Sequence, residues 1–260
     1  MFTADLPAPW YNDSLTIQYA DDVTQLARAR DLDTLTDRIQ AELTLTSLWE
    51  LKWRIVSHPE KSCVTYFHTK FRDRPRQISL YKNIIAENQI PIPIRPNNKV
   101  LGLTFDKELK FKNHITQKVA IAASALSSLD RFRDSSVKTK LHLYKAFILP
   151  LLTYCPLALT LSAPSNTIKL QRIQNRAIRF ALGTKWYDFR TSLSLHEESR
   201  ILPINLTLHN RLNKQLTTFQ AYHPITYEHI NNLPPAYRNR HQPHTNLLDP
   251  PLLPPNPIFR

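Results

Sequence analysis

The segment Leu15-Thr16-Ile17-Gln18-Tyr19-Ala20-Asp21-Asp22-Val23-Thr24-Gln25-Leu26-Ala27 holds two runs of alternating side chains, rich in β-branched and aromatic residues, around a short acidic break. Two such runs joined by a tight turn predict a β-hairpin. The adjacent carboxylates of Asp21 and Asp22 repel each other. Either the turn is simply polar and solvated, or a divalent cation relieves the repulsion. Hard oxygen donors on a rigid turn suit Mg²⁺, which keeps several waters and is usually completed by substrate phosphates. Two such ions, about 4 Å apart, stabilise the attacking and leaving oxygens of an in-line nucleotidyl transfer.

Asp31 can cap a helix over about 32–50, whose Leu32, Leu35, Ile39 and Leu43 share one face. After the loop Ser57-His58-Pro59-Glu60-Lys61, Cys63–Phe67 reads as a strand, as do Arg76–Tyr81, Ile90–Ile94 and Val100–Phe105. Pro91, Pro93 and Pro96 confine the Ile90 strand to an edge or a loop. Beyond Asn113 the period becomes helical, over about 113–130, 136–162, 165–182, 191–199 and 205–221. Gly183 sits where a helix end takes a left-handed residue. From Pro224 onward 9 of 37 residues are proline, which predicts an extended or disordered tail. The fold class expected is α+β: a small antiparallel sheet with a helix over 1–108, an all-α region over 109–222, and a Pro-rich tail over 223–260.

Composition removes several classes. The 260 residues contain only two glycines, Gly102 and Gly183, where average usage gives about 18. Rossmann and Walker A loops need glycines close together, so nucleotide binding through a glycine cradle is excluded. Two cysteines, Cys63 and Cys155, cannot build a disulfide framework, and no signal peptide opens the sequence. The most apolar run, Phe147–Leu161, has 15 residues interrupted by Pro150 and Pro156, short of the roughly 20 a membrane span needs, and reads as a buried, kinked helix. These features predict an intracellular protein, in nucleus or cytoplasm, with no membrane partner.

Residues 1–60 carry 5 basic and 10 acidic side chains, whereas the remaining 200 carry 29 basic and 11 acidic. A basic body of this kind suits a polyanion, most commonly a phosphate backbone. Lys169, Arg172, Arg176 and Arg179, spaced three, four and three apart, form a basic ridge on one face of a helix, beside an apolar ridge of Leu170, Ile173, Ala177 and Phe180. The ridge is either a solvated face or a strip that lies along nucleic acid.

Tyr19-Ala20-Asp21-Asp22 between two apolar strands resembles the YxDD catalytic hairpin of reverse transcriptases. Phe2-Thr3-Ala4-Asp5-Leu6-Pro7 upstream is similar to the segment after the Gln-Gly turn in the enzymes of non-LTR retrotransposons. His58-Pro59-Glu60-Lys61-Ser62 resembles their motif D, with His58 where Asn is usual. Val100–Asp106, Leu109-Lys110-Phe111 and His114 look like the primer grip and its exit into the thumb. Leu143-Tyr144-Lys145, Leu149-Pro150, Tyr154, Leu170-Gln171-Arg172-Ile173-Gln174-Asn175 and Trp186-Tyr187 are similar to the C-terminal region of the jockey clade. The resemblance runs in order over about residues 2–210.

It implies an RNA-directed DNA polymerase with a partial palm, a thumb and a two-metal Mg²⁺ site. Asp21 is then the main metal ligand and Asp22 the weaker partner, with Tyr19 and Ala20 near the primer end. Lys61 acts as general acid or electrostatic partner of the departing pyrophosphate; the bland alternative is an exposed lysine after a turn. Leu101 and Gly102 let the primer backbone approach, and the basic ridge meets the template–primer duplex. RNA template, DNA primer and dNTP are the implied partners. The family's third carboxylate lies on a strand before the Gln-Gly turn, and neither Asp5 nor Asp13 has a strand context to replace it. The expectation is therefore that this chain does not polymerise alone and needs the missing N-terminal half of a polymerase. The alternative is a non-enzymatic retrotransposon remnant that binds RNA or RNA–DNA duplex through its basic helices.

Overall fold

A computed structural model describes residues 5–55, 57–58, 60–67, 80–82, 90–184 and 188–224. The tail from residue 225, most of the Arg76–Tyr81 strand, Phe2–Ala4, Pro59 and Trp186-Tyr187 lie outside the described residues. The chain divides into two compact units, Met1–Leu109 and Lys110–Arg260. Small antiparallel sheets populate the first and helices the second.

In the first unit β1 (Ser14–Tyr19) pairs antiparallel with β2 (Asp22–Ala27), Ser14 opposite Ala27 and Tyr19 opposite Asp22. Ala20 and Asp21 form the two-residue turn. Ala20 takes φ +53°, a left-handed conformation that costs a residue with a Cβ about 1 kcal/mol and that matches strand twist in a tight hairpin. The Gln18 side-chain amide donates to the Ala20 carbonyl at 3.0 Å and closes the turn.

Helix α1 (Leu32–Trp53) starts at Asp31, whose carboxylate accepts the Thr34 N–H at 2.8 Å. Its contact with the hairpin is polar. Gln25 of β2 donates to the Thr46 hydroxyl at 2.7 Å and to the Glu42 carbonyl at 3.3 Å. Ser14, Thr16, Gln18 and Gln25 are half-buried, while Leu15 (53% exposed), Ile17 (45%) and Tyr19 (65%) face outward. The chain leading into β1 is tied to α1. Asp5 accepts from the indoles of Trp49 and Trp53 and from the Lys52 ammonium, each at 2.9 Å, and these bonds bring its carboxyl down to about 2. Buried Glu42 accepts the Trp10 N–H at 3.0 Å. Arg28 and Arg38 close on Asp13 at 3.0 and 3.1 Å and lower its carboxyl pKa.

Two expected strands are formed differently. Cys63–Phe67 makes a single parallel bridge, Val64 to Ile94, through Val64 N–H to Pro93 O at 3.0 Å and Arg95 N–H to Val64 O at 2.8 Å. The prolines at 91, 93 and 96 lack the donors a longer ladder needs. They leave β4 (Ile90–Pro91) as a two-residue partner of β3 (Tyr81–Lys82). Val100–Phe105 is a second hairpin, β5 (Asn97–Val100) with β6 (Leu103–Asp106). Leu101 at φ +47° and Gly102 at φ +81° make the turn between them.

The second unit is built from α2 (Lys112–Ser128), α3 (Val137–Leu143), α4 (Leu149–Leu152), α5 (Pro156–Thr160), α6 (Pro164–Leu182), α7 (Ser192–Ser199) and α8 (Ile204–Tyr222). The helix expected over 136–162 is interrupted twice. A π turn at Tyr144–Ile148 joins α3 to α4, with the Leu149 N–H reaching back to the Tyr144 carbonyl. Pro150 has no N–H to continue the α ladder, and the wider turn keeps Lys140, Tyr144, Ile148 and Leu152 buried along one line. Cys155, at φ +54°, breaks the chain before Pro156. Among the described residues no helix is long and apolar enough to cross a membrane.

Helix α6 packs against α2, α3, α7 and α8, burying Leu170, Ala177, Ile178 and Ala181 completely. A polar network crosses this core. Gln174, fully buried, donates to the Tyr144 hydroxyl and the Leu202 carbonyl, both at 3.0 Å. Gln171 donates to Asn175 at 2.7 Å and to Gln174 at 3.0 Å, and accepts the Ile204 N–H at 2.9 Å. Burial pushes the Tyr144 phenol up to about 12, so it stays a hydroxyl.

His196 of α7 closes the network. Its Nδ1 faces the Ile201 carbonyl at 2.8 Å, and its Nε2 lies 2.9 Å from the Gln171 amide nitrogen and 3.1 Å from Asn175 Oδ1. Burial lowers the His196 pKa from the usual 6.5. Between 6.5 and the folded-state pKa the unfolded chain binds more protons, so stability falls as pH drops through that window. Thermal melts of the chain between pH 8 and 5 are expected to show this decline, and His196→Gln is expected to flatten it. An unchanged slope in the variant would assign the decline elsewhere.

Candidate catalytic hairpin and basic helix

The hairpin register decides where the acidic pair stands. Asp22 opens β2 opposite Tyr19, so it shares the outward face with Tyr19 and Ile17, while Asp21 occupies the turn. All of Tyr19, Ala20, Asp21 and Asp22 are exposed. Asp5 and Asp13 of this unit are engaged by cations, whereas among the described residues no ion pair reaches the hairpin pair. Two adjacent hard oxygen donors, one in the turn and one at the first position of β2, are the right kind of ligand for a divalent cation. They are too few for one: an octahedral ion needs about six oxygens. Among the described residues no group of three or more His, Cys, Asp or Glu could hold a metal. Waters, phosphates or further carboxylates must complete the set.

The other expected site residues lie on separate elements. Lys61 is exposed in a turn closed by its own N–H and that of Ser62, both to the His58 carbonyl at 3.2 Å. The Ser62 hydroxyl donates to the same carbonyl at 3.0 Å. Leu101 and Gly102 form the tip of the β5–β6 hairpin, with Leu101 exposed. On α6, Arg172 and Arg176 are exposed, but the outer members of the ridge are engaged. Arg179 donates to the Arg190 carbonyl at 3.0 Å, and Lys169 approaches Asn166 at 3.4 Å. Arg190 is itself held by Asp188 at 2.9 Å and by Glu198. The buried side of α6 centres on Leu170, Gln174, Ala177, Ile178 and Ala181, while Ile173 and Phe180 are only half-buried. The roles of Gln171, Gln174, Asn175 and His196 in tying α7 and α8 to α6 were not visible in their spacing.

The chain matches no family model, and no solved structure matches it. Its likeness is to RNA-directed DNA polymerases of mobile elements. It is 28% identical over 261 residues to the probable RNA-directed DNA polymerase from transposon X-element of Drosophila melanogaster, covering 94% of this chain and 26% of that protein. To the RNA-directed DNA polymerase from mobile element jockey of the same species it is 27% identical over 179 residues, covering 67% and 19%. To the probable RNA-directed DNA polymerase from transposon BS it is 25% identical over 236 residues, covering 86% and 25%. The chain thus spans about a fifth to a quarter of the length of these relatives.

Proposed function

We propose that this chain is part of a mobile-element reverse transcriptase, supplying the metal-binding hairpin of the palm and a thumb-like helical region to RNA-templated DNA synthesis. The observation that carries the reading is the register of β1 and β2, which puts Asp21 in the turn and Asp22 on the exposed face beside Tyr19. The order of motifs shared with the polymerases of transposable elements supports it. Asp21 and Asp22 hold Mg²⁺, which supplies charge neutralisation at the phosphates when bound. Tyr19 and Ala20 border the primer end, and the Leu101-Gly102 tip borders the primer backbone. The Lys61 ammonium stands by the departing pyrophosphate.

Completing the site takes ligands beyond this hairpin pair. The test is therefore a chimera in which residues 1–260 replace the matching quarter of the X-element polymerase. It is expected to extend a DNA primer on an RNA template, and a folded but inert chimera would make this chain a remnant. The purified 260-residue chain, assayed alone with Mg²⁺ and dNTPs, is expected to add no nucleotides.

Arg172 and Arg176 serve as the phosphate contacts of the duplex. Each neutralised phosphate contributes about −0.9 to the slope of log K against log salt. Arg172→Ala and Arg176→Ala are each expected to lower the magnitude of that slope by about 1 for an RNA–DNA duplex, with little dependence on sequence. Slopes identical to the parent chain would remove α6 from the interface.

A further inference from the structure

We infer that the outer face of α3 is a groove for one unpaired nucleotide of a single-stranded nucleic acid, apart from the duplex contacts of α6. The inference rests on the reading that this unit binds nucleic acid, and adds to it which strand and which helix. Val137, Lys138, Leu141, His142 and Lys145 line a groove of about 270 Å³ on the side of α3 away from buried Lys140 and Tyr144. Lys138, His142 and Lys145 are exposed, and no acidic side chain lines the groove.

Three chemistries meet there. Val137 and Leu141 give an apolar floor. Lys138 and Lys145 stand seven residues apart, about 10 Å along the axis, a span that flexible stems can close onto the phosphates on either side of one base. The His142 Nδ1 faces the Lys138 carbonyl at 2.9 Å. A carbonyl only accepts, so Nδ1 carries the proton and Nε2 is left as an acceptor. Phosphate alone has no use for an apolar floor. The volume is smaller than the roughly 300–1,000 Å³ of small-molecule pockets, and suits a single flat base. In a duplex the base faces are covered by stacking, so only an unpaired base can lie on Val137 and Leu141.

Fluorescence anisotropy of the full chain tests this with labelled 12-mers of single-stranded RNA, single-stranded DNA, an abasic strand of equal charge, and an RNA–DNA duplex. Lys138→Gln/Lys145→Gln is expected to weaken base-bearing single strands about tenfold and the duplex less than twofold. Val137→Ser, which keeps the charge, is expected to weaken only the base-bearing single strands, severalfold. Unchanged thermal melts of both variants check the fold. The RNA and DNA arms show which sugar is preferred, and either preference supports the groove. Equal binding of the abasic strand, equal losses on single strand and duplex, or equal competition by a poly-glutamate peptide would overturn it. Absence of binding to every nucleic acid sinks the broader reading as well. Duplex binding that depends on Arg172 and Arg176, with single strands indifferent to α3, sinks this inference alone.

Discussion

In the chimera with the X-element polymerase, Asp21→Ala is expected to lower RNA-templated primer extension by about 10³-fold or more. The argument starts from charge. A bound divalent cation supplies several kcal/mol of stabilisation to the transferring phosphoryl group, and each 1.36 kcal/mol is about tenfold in rate. Asp21 sits in the two-residue turn, the position from which a carboxylate reaches furthest from the hairpin. Asp22 lies one residue along, within the ladder, and Asp22→Asn keeps an oxygen donor there. Its expected loss is about 10–100-fold, partly recovered when Mn²⁺ replaces Mg²⁺. Both carboxylates are exposed and lie outside the ion pairs and hydrogen bonds that hold the hairpin to α1. Neither substitution should therefore move the melting temperature. Robust extension by the Asp21→Ala chimera would show that the hairpin is not the metal site.

The largest stability effect is expected at Gln174. Gln174→Leu keeps the volume but strips of their donor the Tyr144 hydroxyl, which is closed to water, and the Leu202 carbonyl. Each buried group left unpaired costs about 1–3 kcal/mol, so the expected loss is about 3 kcal/mol. For a unit of this size that corresponds to a fall in melting temperature of roughly 10 °C. Adding Tyr144→Phe removes one stranded group with its partner, so the double variant is expected to be more stable than the sum of the single losses. Simple additivity would mean that the hydrogen bond contributes nothing. Gln174 does not touch the exposed arginines, so the salt slope for duplex binding is expected to hold.

Local signals carried the reading as far as local physics governs the structure. Period-two alternation around an acidic turn located β1 and β2 within one residue, and Asp31 marked the start of α1 because capping depends only on the next few N–H groups. Val100–Phe105 misled because Leu101 gives no warning of a left-handed turn. Pro150 and Pro156 announced a kink in the apolar run, but not the left-handed Cys155 that turns the second kink into a break. Gln171, Gln174 and Asn175 look, in sequence, like the solvated side of a charged helix. Only their partners on other elements, Tyr144, His196, Leu202 and Ile204, turn them inward. The same tertiary pairing withdraws Arg179 from the basic ridge, leaving Arg172 and Arg176 as its exposed centre.

The two-residue turn between β1 and β2 makes this part of the gene intolerant of small insertions and deletions. Side chains alternate between faces of a strand, so adding or removing one residue in either strand sends every later side chain to the opposite face. A slip in β2 would carry Asp22 from the face it shares with Tyr19 to the Gln25 face that meets α1, placing a charge against a helix and breaking the Gln25 contacts together. Substitutions that respect the alternation keep the hairpin geometry. One in-frame codon added or removed here is expected to lose the register of the acidic pair and the contacts with α1 together.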